Sequence, residues 1–335
     1  MKSRILLVLL AVTLVISSVA LGACQPAAPK EAIVLRMVSF LPDRPPSNIT
    51  WVHFINIVSE KAKGELVVKC IGGPETVAPP DAAGAVQKGV IEMADALWSL
   101  SDAVVPGIRC LTHMEVSYAG HRKKGGAYDF VQGLCNKAGL FYLGQAKAVR
   151  PQSFLYLYTN KRVEKPEDFA GLKMGTPSPL SIPYFKALGA TPVVIPLHEY
   201  FTAVERGVVD GYVIGLEDVP GFGLDEVTKY LVDHPYASSP DGWIVNLDVW
   251  NGLPKKLQNV LIESAIEHEN LFPDYYDREI GQPARQKMLA AGMEFLTFSP
   301  ADAKRYHDMY REASWAAEIE KHPDIAPQLR ALITK

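Results

Sequence analysis

Glu164-Lys165-Pro166-Glu167-Asp168-Phe169-Ala170-Gly171-Leu172-Lys173-Met174-Gly175-Thr176-Pro177 opens the stretch that decides the fold of this 335-residue chain. Leu172-Lys173-Met174 reads as a short strand, and Ser181 to Leu188 as the helix after it. Leu188-Gly189-Ala190-Thr191-Pro192 turns the chain into a second strand, Pro192 to Ile195, which continues as Ile195-Pro196-Leu197-His198-Glu199. Glu199 to Arg206 is amphipathic, with Phe201 and Val204 inward, and Gly207-Val208-Val209-Asp210-Gly211 follows. Short apolar runs alternating with helical patterns predict parallel α/β layers.

The same alternation extends in both directions. Upstream, Ile33–Val38, Leu66–Ile71 and Met93–Leu97 read as strands. Between them come a helix carrying Trp51, Phe54, Ile55 and Val58, capped past its end by Gly64, and a second helix from Ala82 to Lys88. A further unit starts with the strand Phe154-Leu155-Tyr156-Leu157-Tyr158. Downstream, Glu226-Val227-Thr228-Lys229-Tyr230 precedes a strand at Ile244-Val245-Asn246-Leu247 that returns to the first unit. In Trp250-Asn251-Gly252-Leu253-Pro254-Lys255-Lys256-Leu257-Gln258, Pro254 starts a long helix, where its missing N–H costs nothing. Leu257, Val260 and Leu261 give that helix a core face, and Pro273 is expected to end or kink it. The prediction is two α/β lobes with crossing strands, a long connecting helix and a ligand cleft. Residues 32–151 plus 243–281 make one lobe, and 152–242 plus 282–335 the other. Open sheets bind ligands beyond the carboxyl ends of their strands.

In order and spacing, the blocks from Glu164 to Gln258 resemble the substrate-binding subunit of TRAP transporters, the tripartite ATP-independent periplasmic transporters. No single block is specific, but five stand in register, and the resemblance runs from about Ile33 to the C-terminal region. It implies a periplasmic binding protein-like fold, a small-molecule solute, and delivery to small and large integral membrane subunits driven by an ion gradient. Lys2 and Arg4 before the apolar run Ile5–Ile16, then Leu21-Gly22-Ala23-Cys24, read as an export signal over 1–23. The resemblance implies that Cys24 becomes the lipidated first residue, anchoring the protein to a membrane through a flexible tether over 24–31.

Composition narrows the function. A net charge of −3 gives no electrostatic reason to bind nucleic acid. The basic cluster His121-Arg122-Lys123-Lys124 reads as a solvated loop. Cys70, Cys110 and Cys135 allow at most one bridge in an oxidising compartment, with Cys110–Cys135 the expected pair and Cys70 a small core residue. No phosphate loop, nucleophile elbow or dinucleotide fingerprint is present, and the eight histidines lack metal-helix spacing, so no cofactor, metal or catalytic residue is assigned. His198 with Glu199 reads as a helix start, and Asp210 as a turn residue.

The ligand-binding positions implied by the resemblance depart from the family pattern. Family members carry at Gly175 an Arg whose planar fork grips a carboxylate. A second family Arg aligns near Ser153 or Phe154, and Arg150 is nearby. Either Arg150, Lys147 or Arg122 substitutes and the ligand remains an acid, or the pocket takes a neutral or aromatic solute. Val77, Ala78, Pro79, Leu97, Trp98, Phe154, Leu197, Tyr212, Ile214, Trp243 and Asn246 fall at cleft positions and favour an apolar, aromatic-lined site. Glu217 and Asp218 raise a third option, an amine-bearing ligand. A ligand sensor for a membrane receptor and a secreted enzyme are the competing functions.

Overall fold

The computed structural model of the chain describes residues 31–43, 48–146, 155–237 and 240–334. By contacts the chain divides into Met1–Ile33, of which only 31–33 are described, and Val34–Lys335. The elements that position the site lie in the second. Cys24 and the expected export signal lie outside the described residues. Among the described residues no helix is long and apolar enough to cross a membrane.

Two sheets carry the body. The first contains β1 (Ile33–Ser39), β2 (Leu66–Gly72), β3 (Met93–Leu97), β4 (Leu140–Gln145) and β10 (Asp241–Asn246), in the order β2-β1-β3-β10-β4. β1 runs parallel to β3, and β10 runs antiparallel to both neighbours. β10 is buried along its whole length, as a strand covered on both faces requires, whereas the edge strand β2 turns Val67, Lys69 and Ile71 outward. The second sheet holds β5 (Leu155–Thr159), β6 (Lys173–Thr176), β7 (Thr191–Val194), β8 (Gly211–Ile214), β9 (Tyr230–Ala237) and β11 (Glu294–Leu296), in the order β11-β9-β5-β8-β6-β7. β6 is parallel to β7 and β8, while β5 is antiparallel to β8 and β9. The chain passes between sheets from β4 to β5 and back from β9 to β10. Pairing register shifts beside both passages, between Leu155 and Leu157 and between Trp243 and Ile244. Such irregularities bend a strand and raise its local twist.

The long helix, Lys255–Tyr276, contains Pro273 and does not end there. It continues through a π-turn, Asp277–Gly281, into the helix Gln282–Ala290. The helix Pro300–Lys321 gives Tyr306 and Tyr310 to the core beside the second sheet, but Trp315 to that of the first. Leu329 and Ile333 of the last helix, Ala326–Ile333, also pack with the first sheet. The tail from Trp315 onward therefore belongs with the first sheet, whereas the sequence grouping put all of 282–335 with the second.

Several local expectations are corrected. Cys110 and Cys135 are buried free thiols and form no bridge, and burial pushes the Cys135 thiol up to about 12. Cys70 is half-buried, outside the core. His121 and Arg122 are not a solvated loop: His121 is wholly enclosed, and Arg122 makes a buried ion pair with Glu269. Tyr200, Ala203 and Val204 form the inward face of the helix Tyr200–Glu205, with Phe201 only partly covered.

Candidate functional site

A cavity of about 390 Å³ lies between the two sheets, at the carboxyl ends of β3, β6 and β8. Phe40, Leu41, Leu97 and Leu100 wall it from the first sheet. Leu155, Leu180, Leu197, Val213 and Ile214 wall it from the second, and Ile280 of the π-turn closes one side. Polar groups are fewer and grouped. Among the described residues that line it there is no Lys or Arg.

Local chemistry fixes each polar group. After β6, Thr176 Oγ1 donates to Ser178 O at 2.8 Å and accepts from Ser178 N at 3.2 Å, closing the turn that carries Pro177 into the cavity. Ser181 Oγ lies 3.3 Å from Tyr236 Oη. After β8, Gly215 allows two acidic side chains to fold back. A Cβ there would stand 2.9 Å from Glu217 Oε2 and 3.1 Å from Asp218 Oδ2. Tyr276, on the long helix, donates its hydroxyl proton to Glu217, and burial followed by that carboxylate pushes its phenol well up. On the first-sheet side, His113 Nδ1 lies 2.7 Å from Tyr310 Oη, and both residues line the cavity. Behind them Glu318 accepts from Arg109 at 2.9 and 2.7 Å. Burial pushes the Glu318 carboxyl up, but the bonds from His113 and Arg109 outweigh it and hold the group below its ordinary value.

The residues singled out from the sequence divide three ways. Leu97, Leu197 and Ile214 line the cavity, as do Glu217 and Asp218. Arg150 and Phe154, with Lys147 and Ser153, lie outside the described residues. Trp98, Tyr212, Trp243, Asn246 and Gly175 are placed in the core. Trp98 donates Nε1–H to Gln145 Oε1 at 2.6 Å and packs against Tyr142. Trp243 stacks on Phe54 at 3.9 Å, and Tyr212 stacks on Tyr158 while bonding Thr228 at 2.7 Å. Asn246 caps the helix Leu247–Gly252 by accepting from Asp248 N and Val249 N. A Cβ on Gly175 would rest at 3.5 Å from Tyr212 Cβ and 3.6 Å from Val209 Cγ1, away from the lining. Arg122, considered as a displaced anion-binding residue, is committed to Glu269 and Leu143 O. Asp210 accepts from Lys173 N at 2.9 Å, which locks the start of β6, and Lys161 stands 3.2 Å away. His198 and Glu199 are exposed neighbours 3.8 Å apart. Thr112, His113, Tyr276 and Tyr310 were not singled out from the sequence. Their segments carry no cleft signal, because long helices and a 3-10 turn from distant positions bring them together.

Comparison with known proteins gives a concordant picture. The family model DctP, bacterial extracellular solute-binding protein, family 7, matches residues 37–319. The 2,3-diketo-L-gulonate-binding periplasmic protein of Escherichia coli is 31% identical over 180 residues, covering 50% of this chain and 53% of that protein. The chain thus spans about half the length of this curated relative. A TRAP periplasmic solute-binding protein from Rhodobacter sphaeroides, in an apo open form, superposes with TM-score 0.78 at 21% identity, covering 90% of this chain and 98% of that one. One from Desulfovibrio salexigens with bound orotic acid gives 0.73 at 20%, covering 90% and 97%. At these identities the structures establish a shared fold.

Proposed function

Because the chain belongs to the DctP family of TRAP periplasmic solute-binding proteins, we propose that it captures a small organic solute between its two sheets and delivers it to TRAP membrane subunits. The observation that carries the reading is the cavity itself. It has a volume suited to one small molecule, sits at strand carboxyl ends, and is walled from both sheets, so an occupant favours their approach. The two sheets with their cores act as the lobes of the receptor. Relatives bind sugar acids and other organic acids, which supports an acid here also. The lining supports one with a largely apolar body. Aliphatic side chains dominate it, no Lys or Arg stands among the described residues that line it, and a second carboxylate left without a partner would cost several kcal/mol, as an order of magnitude. A lipid on Cys24 would hold the receptor at a membrane.

A thermal-shift screen of acids, aromatics, alcohols and amines tests this, because a ligand that binds only the folded chain raises the melting temperature by mass action. Stabilisation by a compact, mostly apolar solute is expected. A screen in which only sugars or dicarboxylates stabilise the chain overturns the apolar-body reading.

A further inference from the structure

Phe222 is the one exposed Phe, Tyr or Trp among the described residues, 41% open to solvent. Its placement follows from its neighbours. Val219 and Leu224, both wholly buried in the core beside the second sheet, tie down the short helix Asp218–Gly221 and the 3-10 turn Leu224–Glu226 on either side of it. Gly223 joins the two at φ +68, a left-handed turn that suits glycine, and with both flanking apolar side chains turned inward the ring is left outside. Phe201 continues the apolar strip: a Cβ on Gly223 would rest 3.8 Å from its ring. The strip adjoins the cavity at two places. Leu197 and Asp218, four residues before Phe201 and Phe222, are lining residues that stay partly open. The charge around the strip is mostly of one sign. Residues 197–206 and 218–227 hold Glu199, Glu205, Asp218, Asp225 and Glu226 against Arg206 as their only Lys or Arg.

We propose that this strip is the surface by which the chain docks on the TRAP membrane subunits, with Phe222 entering an apolar pocket and Glu205, Asp225 and Glu226 facing basic side chains at its edge. The inference rests on the solute-delivery reading and names the contact surface. Charge selects the occupant. Two copies of the strip would set acid against acid, and like charges across an interface are unfavourable. The anionic headgroups of a bilayer would be repelled in the same way. A protein surface with an apolar pocket and a basic rim fits. Interfaces concentrate their binding energy in a few such anchors, aromatic side chains above all, inside a polar border. Location supports the same partner. A protein that receives the solute has to sit beside the cavity, and the strip begins at the lining. Phe222 itself is outside the lining, so the contact can be altered while capture persists.

Surface plasmon resonance decides it. The full chain is passed over lipid nanodiscs that hold the small and large membrane subunits of its own transporter, with empty nanodiscs as reference. Phe222→Ser should weaken binding by at least about tenfold, as truncating an interface anchor does. Asp225→Lys with Glu226→Lys should slow association by about tenfold and flatten its dependence on salt. Val90→Ser trims a side chain that is 60% exposed beside the first sheet, and should bind like the unmodified chain. Each variant should keep its melting temperature and its stabilisation by solutes, which separates docking from capture. Unchanged binding by both strip variants overturns the proposal, and so does an equal loss in Val90→Ser. Binding to empty nanodiscs as strong as to loaded ones would assign the strip to lipid, and a dimer of the unmodified chain that Phe222→Ser dissolves in sedimentation velocity would assign it to a second copy; either overturns the proposal. No binding of the unmodified chain to loaded nanodiscs, while a solute raises its melting temperature, overturns the docking surface alone. Failure of every solute to stabilise the chain overturns capture.

Discussion

Trp98 and Gly242 occupy one packed spot, and neither tolerates exchange. A Cβ on Gly242 would fall 2.4 Å from Trp98 Cζ2 and 2.1 Å from Gly144 O, so only glycine lets β10 pass beneath the indole. Trp98→Ala opens a cavity and strands the Gln145 carboxamide oxygen, and should cost about 3–5 kcal/mol in a denaturant titration. A loss confined to ligand affinity, with stability intact, would return Trp98 to the cleft. The sequence located this residue at the end of a strand, but not the direction of its ring: Leu97 takes the cavity side and Trp98 the core. Which way a side chain points after a strand end depends on the turn that follows, here a 3-10 turn over Trp98–Leu100. His121 and His268 are equally enclosed, and burial first of all pushes each imidazole down to about 3. His268 Nε2 donates to Ala146 O at 2.7 Å, which leaves Nδ1 to accept from His53 Nδ1 at 2.9 Å. From pH 6.5 down to 3 the unfolded chain binds protons at these positions that the folded chain does not. Stability is therefore complete above 6.5 and falls on acidification, by up to about 1.4 kcal/mol per pH unit for each ring. Chemical denaturation at stepped pH checks the slope, and His268→Gln should reduce it. A slope unchanged in that variant would show that other groups set the acid response.

The long helix Lys255–Tyr276 and the strand β4 meet at the passage between the sheets. Glu269 on the helix accepts from Gln145 N at 2.9 Å and from Arg122, while His268 holds Ala146 O. Burial pushes the Glu269 carboxyl up against the pull of those donors, and the same pair holds the Arg122 guanidinium in its charged form although burial opposes it. Glu269→Leu alone leaves a buried guanidinium without its partner and should cost about 3–5 kcal/mol, whereas Glu269→Leu with Arg122→Met should recover much of it. Equal losses in single and double variants, read from urea midpoints, would contradict an ion pair that matters through its unpaired form. At this scale the elements were largely legible. The expected strand Leu172–Met174 is observed as Lys173–Thr176, and the helix expected over Ser181–Leu188 as Ile182–Ala187. Periodicity finds such segments because each buries one face. It does not see that a helix can carry Pro273 past its own lost hydrogen bond, nor that Pro300–Lys321 changes cores between Tyr310 and Trp315.

For the molecule as a whole, family, fold and cleft position followed from five ordered blocks, while the polar floor of the cleft did not. His113, Tyr276 and Tyr310 are far apart in sequence and carry no shared motif; only the return of two long helices across the sheets assembles them. Two sheets joined by passages whose pairing is irregular, with a cavity between, should draw together on a solute that touches both. Small-angle scattering should then show a smaller radius of gyration at saturation, and an unchanged profile with a bound solute would exclude closure. The most direct test of capture between the sheets places bulk in the cavity from each side separately. Leu97 lines it from the first sheet and Leu197 from the second, and both are only partly covered. In a calorimetric titration with the solute that stabilises the unmodified chain best, Leu97→Trp and Leu197→Trp should each weaken binding by at least about tenfold, the equivalent of roughly 1.4 kcal/mol, while both variants keep their unliganded melting temperature. Undiminished affinity in both would place the solute elsewhere and contradict the account.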